Sequence, residues 1–127
     1  MRKPLTSEAA KAVGPYSHGI ASDPFVLLSG QTPLDPSTGE LVGGGAGGQT
    51  RQCFANLLAV LADDGLDASD VVKVNVYLTD MDDFATMNEA YAEHFDEPYP
   101  ARTTIGVAAL PLGAAVEIDL MARRRDR

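Results

Sequence analysis

Two charged residues stand inside apolar surroundings near the C-terminus. Arg102 opens the stretch ARTTIGVAALP, and Glu117 interrupts the run AVEIDLMA. A guanidinium offers a planar fork of donors that matches a carboxylate through two parallel bonds. A carboxylate nearby can hold a water molecule and accept its proton. The same two charges also suit a plain surface ion pair, worth about 0–1 kcal/mol, and spacing alone favours that pair. Asn88 is the third candidate. Counted at 3.6 residues per turn, it falls within the apolar stripe of Phe84, Tyr91 and Phe95. A buried amide left without a partner costs about 1–3 kcal/mol. A structural bond and a ligand contact both remain open for it.

Other motifs carry less. In VGGGAGGQT, Gly43 and Gly48 have phosphate-loop spacing, but Gln49 stands where the loop lysine would supply positive charge. The stretch reads as a glycine-rich loop. The basic run ARRRDR at the end reads as a solvated terminus rather than a nucleic-acid contact. His18 and His94 lack a partner pattern and read as surface or structural histidines. The single cysteine, Cys53, excludes an internal disulfide framework, and no Cys/His cluster suggests zinc.

These residues must be held by a small fold. The 127 residues fit one domain, 1–127, large enough for a single core. A net charge of -8 argues against nucleic acid as a partner, since phosphate binding needs a basic face. No apolar run approaches a membrane span, and MRKPLTSEAA has no apolar core after its charges. The expectation is a cytoplasmic protein.

FVLLSG reads as a short strand, and Asp23-Pro24 before it as the turn of a hairpin. PLDPSTGEL is a loop. Phe54, Leu57, Leu58 and Leu61 predict a helix over about 50–64, terminated by Gly65. VVKVNVYLT alternates, with Val72, Val74, Val76 and Leu78 on one face and Lys73, Asn75, Tyr77 and Thr79 on the other. A second helix follows, capped by Asp82 or Asp83, with Phe84, Met87, Tyr91 and Phe95 as its stripe, and Pro98 and Pro100 after it. In the last strand Val116, Ile118 and Leu120 oppose Glu117, Asp119 and Met121. The sum is an α/β (α+β) fold: one sheet with two helices on one face. The other face mixes Tyr77 and Met121 with polar groups, which predicts contact between subunits.

The blocks GPYS, SGQTPLDPSTGEL, TRQCFANLLAVL, VVKVNVYLTDMDDFATMNEAY, YPARTTIGVAALP and VEIDLMA occur in order from about Val13 to Ala122. Together they resemble the RidA/YjgF family of reactive-intermediate deaminases. The resemblance implies a chorismate-mutase-like fold assembled as a homotrimer with clefts between subunits. It implies hydrolysis of small anionic enamine and imine substrates, of the 2-aminoacrylate type, to 2-oxo acids and ammonia, without a cofactor or metal. It assigns Arg102 to the substrate carboxylate and Glu117 to the orienting of water. It places Tyr16, Gly30, Asn88 and Thr104 along the cleft, the last where the best-known members carry cysteine and where the backbone is thought to act. It also suggests a first helix that starts later than in relatives. Two other classes stay open. One is a binding or regulatory trimer with little turnover, although branches lacking the deaminase activity commonly lack the arginine. The other is a ribonuclease or chaperone-like role.

Overall fold

The computed structural model describes residues 2–5 and 14–125. Val13, where the matched motifs begin, and Asp126 and Arg127 of the basic tail lie outside them. The elements run β1 (Lys3–Leu5), β2 (Gly19–Ser22), β3 (Phe25–Gln31), α1 (Gly45–Asp63), β4 (Val71–Leu78), α2 (Phe84–Ala92), β5 (Ala101–Gly106) and β6 (Val116–Arg123). They build a six-stranded sheet in the order β1-β2-β3-β6-β4-β5. The β4–β5 pair is parallel and the other pairs are antiparallel. Parallel neighbours need a crossover, and α2 supplies it. The expected mixed sheet with two helices is what forms.

The core lies between the helices and one sheet face. Phe54, Leu57, Val60 and Leu61 of α1 meet Val74, Val76 and Leu78 of β4 and Val116, Ile118 and Leu120 of β6, all buried. Burying each such side chain contributes about 1.5–3 kcal/mol. Helix α1 ends as the sequence predicts. Gly65 has φ +75, its N–H donates to the Ala62 carbonyl, and the Leu66 N–H donates to Leu61. That is a Schellman end, which needs a left-handed residue. Asp23 and Pro24 make the β2–β3 turn.

Several local expectations are corrected. Helix α1 begins at Gly45, inside the glycine-rich stretch and five residues before Thr50. Glycine disfavours helix by about 1 kcal/mol per residue, but here the small residues permit close packing. A Cβ on Gly48 would sit 2.5 Å from the Gly43 carbonyl oxygen, and one on Gly47 would meet Thr86 of α2. Val72 is exposed and Val71 is buried in its place, because the β4–β6 register shifts between Val71 and Lys73. Asp83 stands at the N-cap of α2 as expected but makes no side-chain capping bond; that bond belongs to Asp80, whose carboxylate accepts from the Asp82 N–H at the head of the 3-10 turn Met81–Asp83 before α2. Helix α2 stops at Ala92, where the His94 ring bonds the Ala90 carbonyl and stacks on Phe54. His94 is structural. Phe95 still reaches the core, but Phe84 is exposed.

The basic tail is also fastened, not loose, as far as Arg125. Arg124 pairs with Asp23 and Asp64. Arg125 donates from Nε to Asp70 at 2.6 Å and from its terminal nitrogen at 2.9 Å. Asp70 is buried and also accepts the Asp67 N–H. Arg125 holds its carboxyl below the usual range. Two arginines expected to face solvent thus close the chain's end onto the turns after α1 and β2.

Among the described residues, no helix is long and apolar enough to cross a membrane. Among the described residues, no element covers the sheet face away from the helices. That face carries Phe25, Leu27 and Ile105, exposed by 40%, 46% and 45%. Phe25 and Leu27 stand on β3 and Ile105 on β5, with Glu117, Asp119, Asn75 and Tyr77 on the two strands between them, so the face is mixed.

Candidate functional site

Strand β5 places Arg102 and Thr104 on one side. Arg102 stands beside Val74 and Thr104 beside Val76, both buried under the helices. Arg102 therefore points to the helix side, where α2 meets it. Its guanidinium carbon lies 4.7 Å from the centre of the Tyr91 ring and 5.6 Å from that of Phe84. One of its terminal nitrogens is 4.0 Å from the Met87 sulfur. Among the described residues no carboxylate pairs with it. The surface ion pair that spacing favoured is therefore absent there.

Arg102 lines a pocket of about 380 Å³ with Asn88, Tyr91, Ala92, Tyr99 and Pro100. Two lining residues carry a buried atom without a hydrogen-bond partner, Asn88 Oδ1 and Tyr91 Oη, and so does Thr104, at Oγ1, on the same side of β5. Each unmet group costs about 1–3 kcal/mol. Such groups belong where a ligand or another surface completes them. Asn88 thus lacks the structural bond that the sequence left open. Burial also raises the Tyr91 phenol, with the Arg102 charge acting in the opposite direction.

Glu117 is elsewhere. It pairs in register with Tyr77 on β4, one residue from buried Ile118, and so faces the uncovered side of the sheet. It packs on the backbone of Gly30. A Cβ there would lie 2.5 Å from Glu117 Oε2, so only glycine leaves the carboxylate in place. The β3–β6 register shifts between Leu28 and Gln31, which puts this glycine at an irregularity. Tyr16 is exposed on the segment beside it, where the Ser29 N–H donates to the His18 carbonyl at 2.8 Å. Partial burial and the neighbouring Asp119 both push the Glu117 carboxyl up. The Asp119 carboxylate accepts from Tyr77 Oη at 2.7 Å and from Asn75 Nδ2 at 2.8 Å. That bond pushes the Tyr77 phenol to about 12.

The six predicted residues thus fall into two groups. Arg102 and Asn88 line the α2–β5 pocket, and Thr104 follows Arg102 on the same side of β5. Glu117 and Gly30 meet on the opposite face, with Tyr16 flanking β3. One protomer does not bring the arginine and the glutamate together. Tyr91, Tyr99 and Pro100 are pocket residues that the sequence did not single out. Tyr91 reads there as core stripe, and no spacing rule shows that β5 will lay an arginine over its ring.

A charged fork without a counter-ion among the described residues, beside the unmet atoms of Asn88 and Tyr91, describes a place for a small anion. No group of three or more His, Cys, Asp or Glu suited to a metal occurs among the described residues. Residues 6–124 match the family model described as endoribonuclease L-PSP. The chain is 48% identical to a RutC family protein of Pyrococcus horikoshii, over 93% of this chain and 94% of that one. It is 45% identical to a 2-iminobutanoate/2-iminopropanoate deaminase of Mus musculus, over 92% and 87%. The crystal structure of RidA from the Antarctic bacterium Psychrobacter sp. PAMC 21119 superposes with a TM-score of 0.91 at 42% identity, covering 96% of this chain and 99% of the other. With the family model matched nearly end to end, and a RidA structure superposing on the same sheet and helices, the chain belongs to the endoribonuclease L-PSP family, the RidA/YjgF family its sequence blocks resemble.

Proposed function

We propose that the protein hydrolyses small 2-imino and 2-enamino acids to 2-oxo acids and ammonia, in clefts completed by neighbouring copies of a homotrimer. One observation carries this reading: Arg102, with no carboxylate partner among the described residues, lines a pocket with Asn88 and Tyr91, whose buried polar atoms are unmet, while Glu117 stands on the opposite sheet face. Two half-sites on opposite faces meet when one copy docks against another. The mixed sheet face away from the helices, with exposed Phe25, Leu27 and Ile105, supplies the docking surface. The deaminase relative supports the activity for its own chain.

In this reading Arg102 grips the substrate carboxylate through both branches of its fork and fixes the orientation of the imine carbon. Protonation of the imine nitrogen makes that carbon electrophilic. Glu117 of a second copy holds a water and takes its proton as the oxygen adds to the C=N carbon. The resulting carbinolamine expels ammonia as its hydroxyl becomes the carbonyl. The proton held by Glu117 goes to the departing nitrogen, and the Glu117 carboxylate so regenerated takes the hydroxyl proton as the C–N bond breaks and the carbonyl forms. A carboxyl raised by burial suits both halves of this exchange. Asn88 and Tyr16 complete the polar contacts. No cofactor enters the scheme.

The test is to generate an imino acid in situ and measure 2-oxo acid release with and without the protein, beside light scattering. Accelerated release by a trimer is expected. A trimer that binds 2-oxo acids without accelerating release would make it a binding protein. A stable monomer at micromolar concentration would remove the shared cleft. RNA cleavage is disfavoured by the net charge of -8.

A further inference from the structure

Arg102 poses a positioning problem. Arginines that must bind a ligand's carboxylate are often held by a carboxylate of the protein, which consumes donors and offsets the charge. Among the described residues, nothing of that kind holds this one. It lies instead over Tyr91 at 4.7 Å and Phe84 at 5.6 Å, beside the Met87 sulfur. The Tyr91 ring is itself fixed. It packs on Phe54 at 5.5 Å and Phe95 at 5.1 Å between ring centres, within the buried core. Phe84 sits one turn before Asn88 at the start of α2 and is exposed.

We infer that Tyr91 and Phe84 form an aromatic bracket that positions Arg102 for carboxylate binding, with Tyr91 the dominant member. An aromatic face attracts a guanidinium through the negative region of its ring. It does so without accepting the in-plane N–H bonds, so the fork stays free for a ligand. It also leaves the positive charge uncompensated, which a carboxylate partner would not. The packed cluster of Phe54, Tyr91 and Phe95 transmits the rigidity of the core to the arginine, and Phe84 limits its swing on the solvent side. This rests on the assignment of Arg102 to a substrate carboxylate. Both aromatic residues are positioning residues, acting through Arg102.

The experiment measures 2-oxobutanoate binding by NMR titration of the intact assembly, with imine hydrolysis in parallel. Tyr91→Phe keeps the ring and loses only the hydroxyl, so it should retain most of the affinity that loss of the ring removes. Tyr91→Leu keeps apolar bulk but removes the ring, and should weaken binding about ten- to thirtyfold, the size of a desolvated cation–π contact. Phe84→Leu alters an exposed position that the core does not need, and should weaken binding about two- to fivefold. Rescue by phenylalanine is the readout that separates positioning from packing. If Tyr91→Leu fails to fold, Phe84→Leu still decides. Equal affinity in the Phe and Leu variants at position 91, or unchanged affinity on Phe84→Leu, overturns the bracket. Binding without imine turnover in the starting protein sinks the deaminase reading while the affinities still test the bracket. Turnover without detectable 2-oxobutanoate binding overturns the bracket alone.

Discussion

Replacing Arg102 with lysine preserves the charge and removes the geometry. The structure bounds what each loss is worth. Arg102 makes no ion pair among the described residues, so the fold loses no salt bridge. Its contacts are two aromatic faces and a sulfur, which a lysine stem and ammonium partly reproduce. Unfolding stability should change by less than about 1 kcal/mol, or about 3–5 °C in melting midpoint for a chain of this size. Binding is different. An ammonium is a point charge and holds one carboxylate oxygen, not two in a plane. Loss of a charged pair in a desolvated cleft typically costs about 2–5 kcal/mol. Felt in the transition state, that is about thirty- to several-thousand-fold in rate. The assay follows 2-oxo acid release from an imino acid made in situ, and thermal melting of the same preparation. Near-native turnover in the lysine variant would refute the two-point clamp. A variant that loses its fold would return Arg102 to a structural role.

Glu117→Gln should reduce hydrolysis about 100- to 10,000-fold by removing the proton acceptor. Because burial and Asp119 raise the Glu117 carboxyl, its ionisation costs stability as pH rises through the raised value; the glutamine variant should melt higher near neutrality, with the gap closing below the ordinary glutamate range. Gly30→Ala puts a methyl 2.5 Å from Glu117 Oε2 and should displace the carboxylate, lowering kcat about 100-fold with the assembly intact by light scattering. Thr104→Cys should leave turnover within about tenfold, since its role is expected to run through the backbone; a loss of several orders would assign the work to the hydroxyl. Arg125→Ala should lower the melting midpoint at neutral pH, and the gap should shrink as pH falls through the depressed Asp70 value, because that carboxylate then no longer needs its partner.

Periodicity alone determined the elements that pack against a core. The alternation of β4 from Val74 onward and of β6, and the helical spacing of Phe54, Leu57 and Leu61, name buried faces correctly, because burial of a face is what selects those patterns. Gly65 marks the end of α1 because a left-handed residue is a local demand. The candidate residues were also legible one by one, from charges in apolar segments and from six blocks in register. Tertiary contact decided the rest. A helix that starts within glycines needs a neighbouring helix close enough to reward their smallness, as Thr86 is to Gly47. The exposure of Val72 follows from a register shift between strands, which no single strand encodes. The fastening of Arg124 and Arg125 needs aspartates about sixty and a hundred residues away in the chain. The placement of Arg102 and Glu117 on opposite faces is the plainest case. Fifteen residues separate them, but the face each one takes depends on its register with β4, a strand lying between β5 and β6.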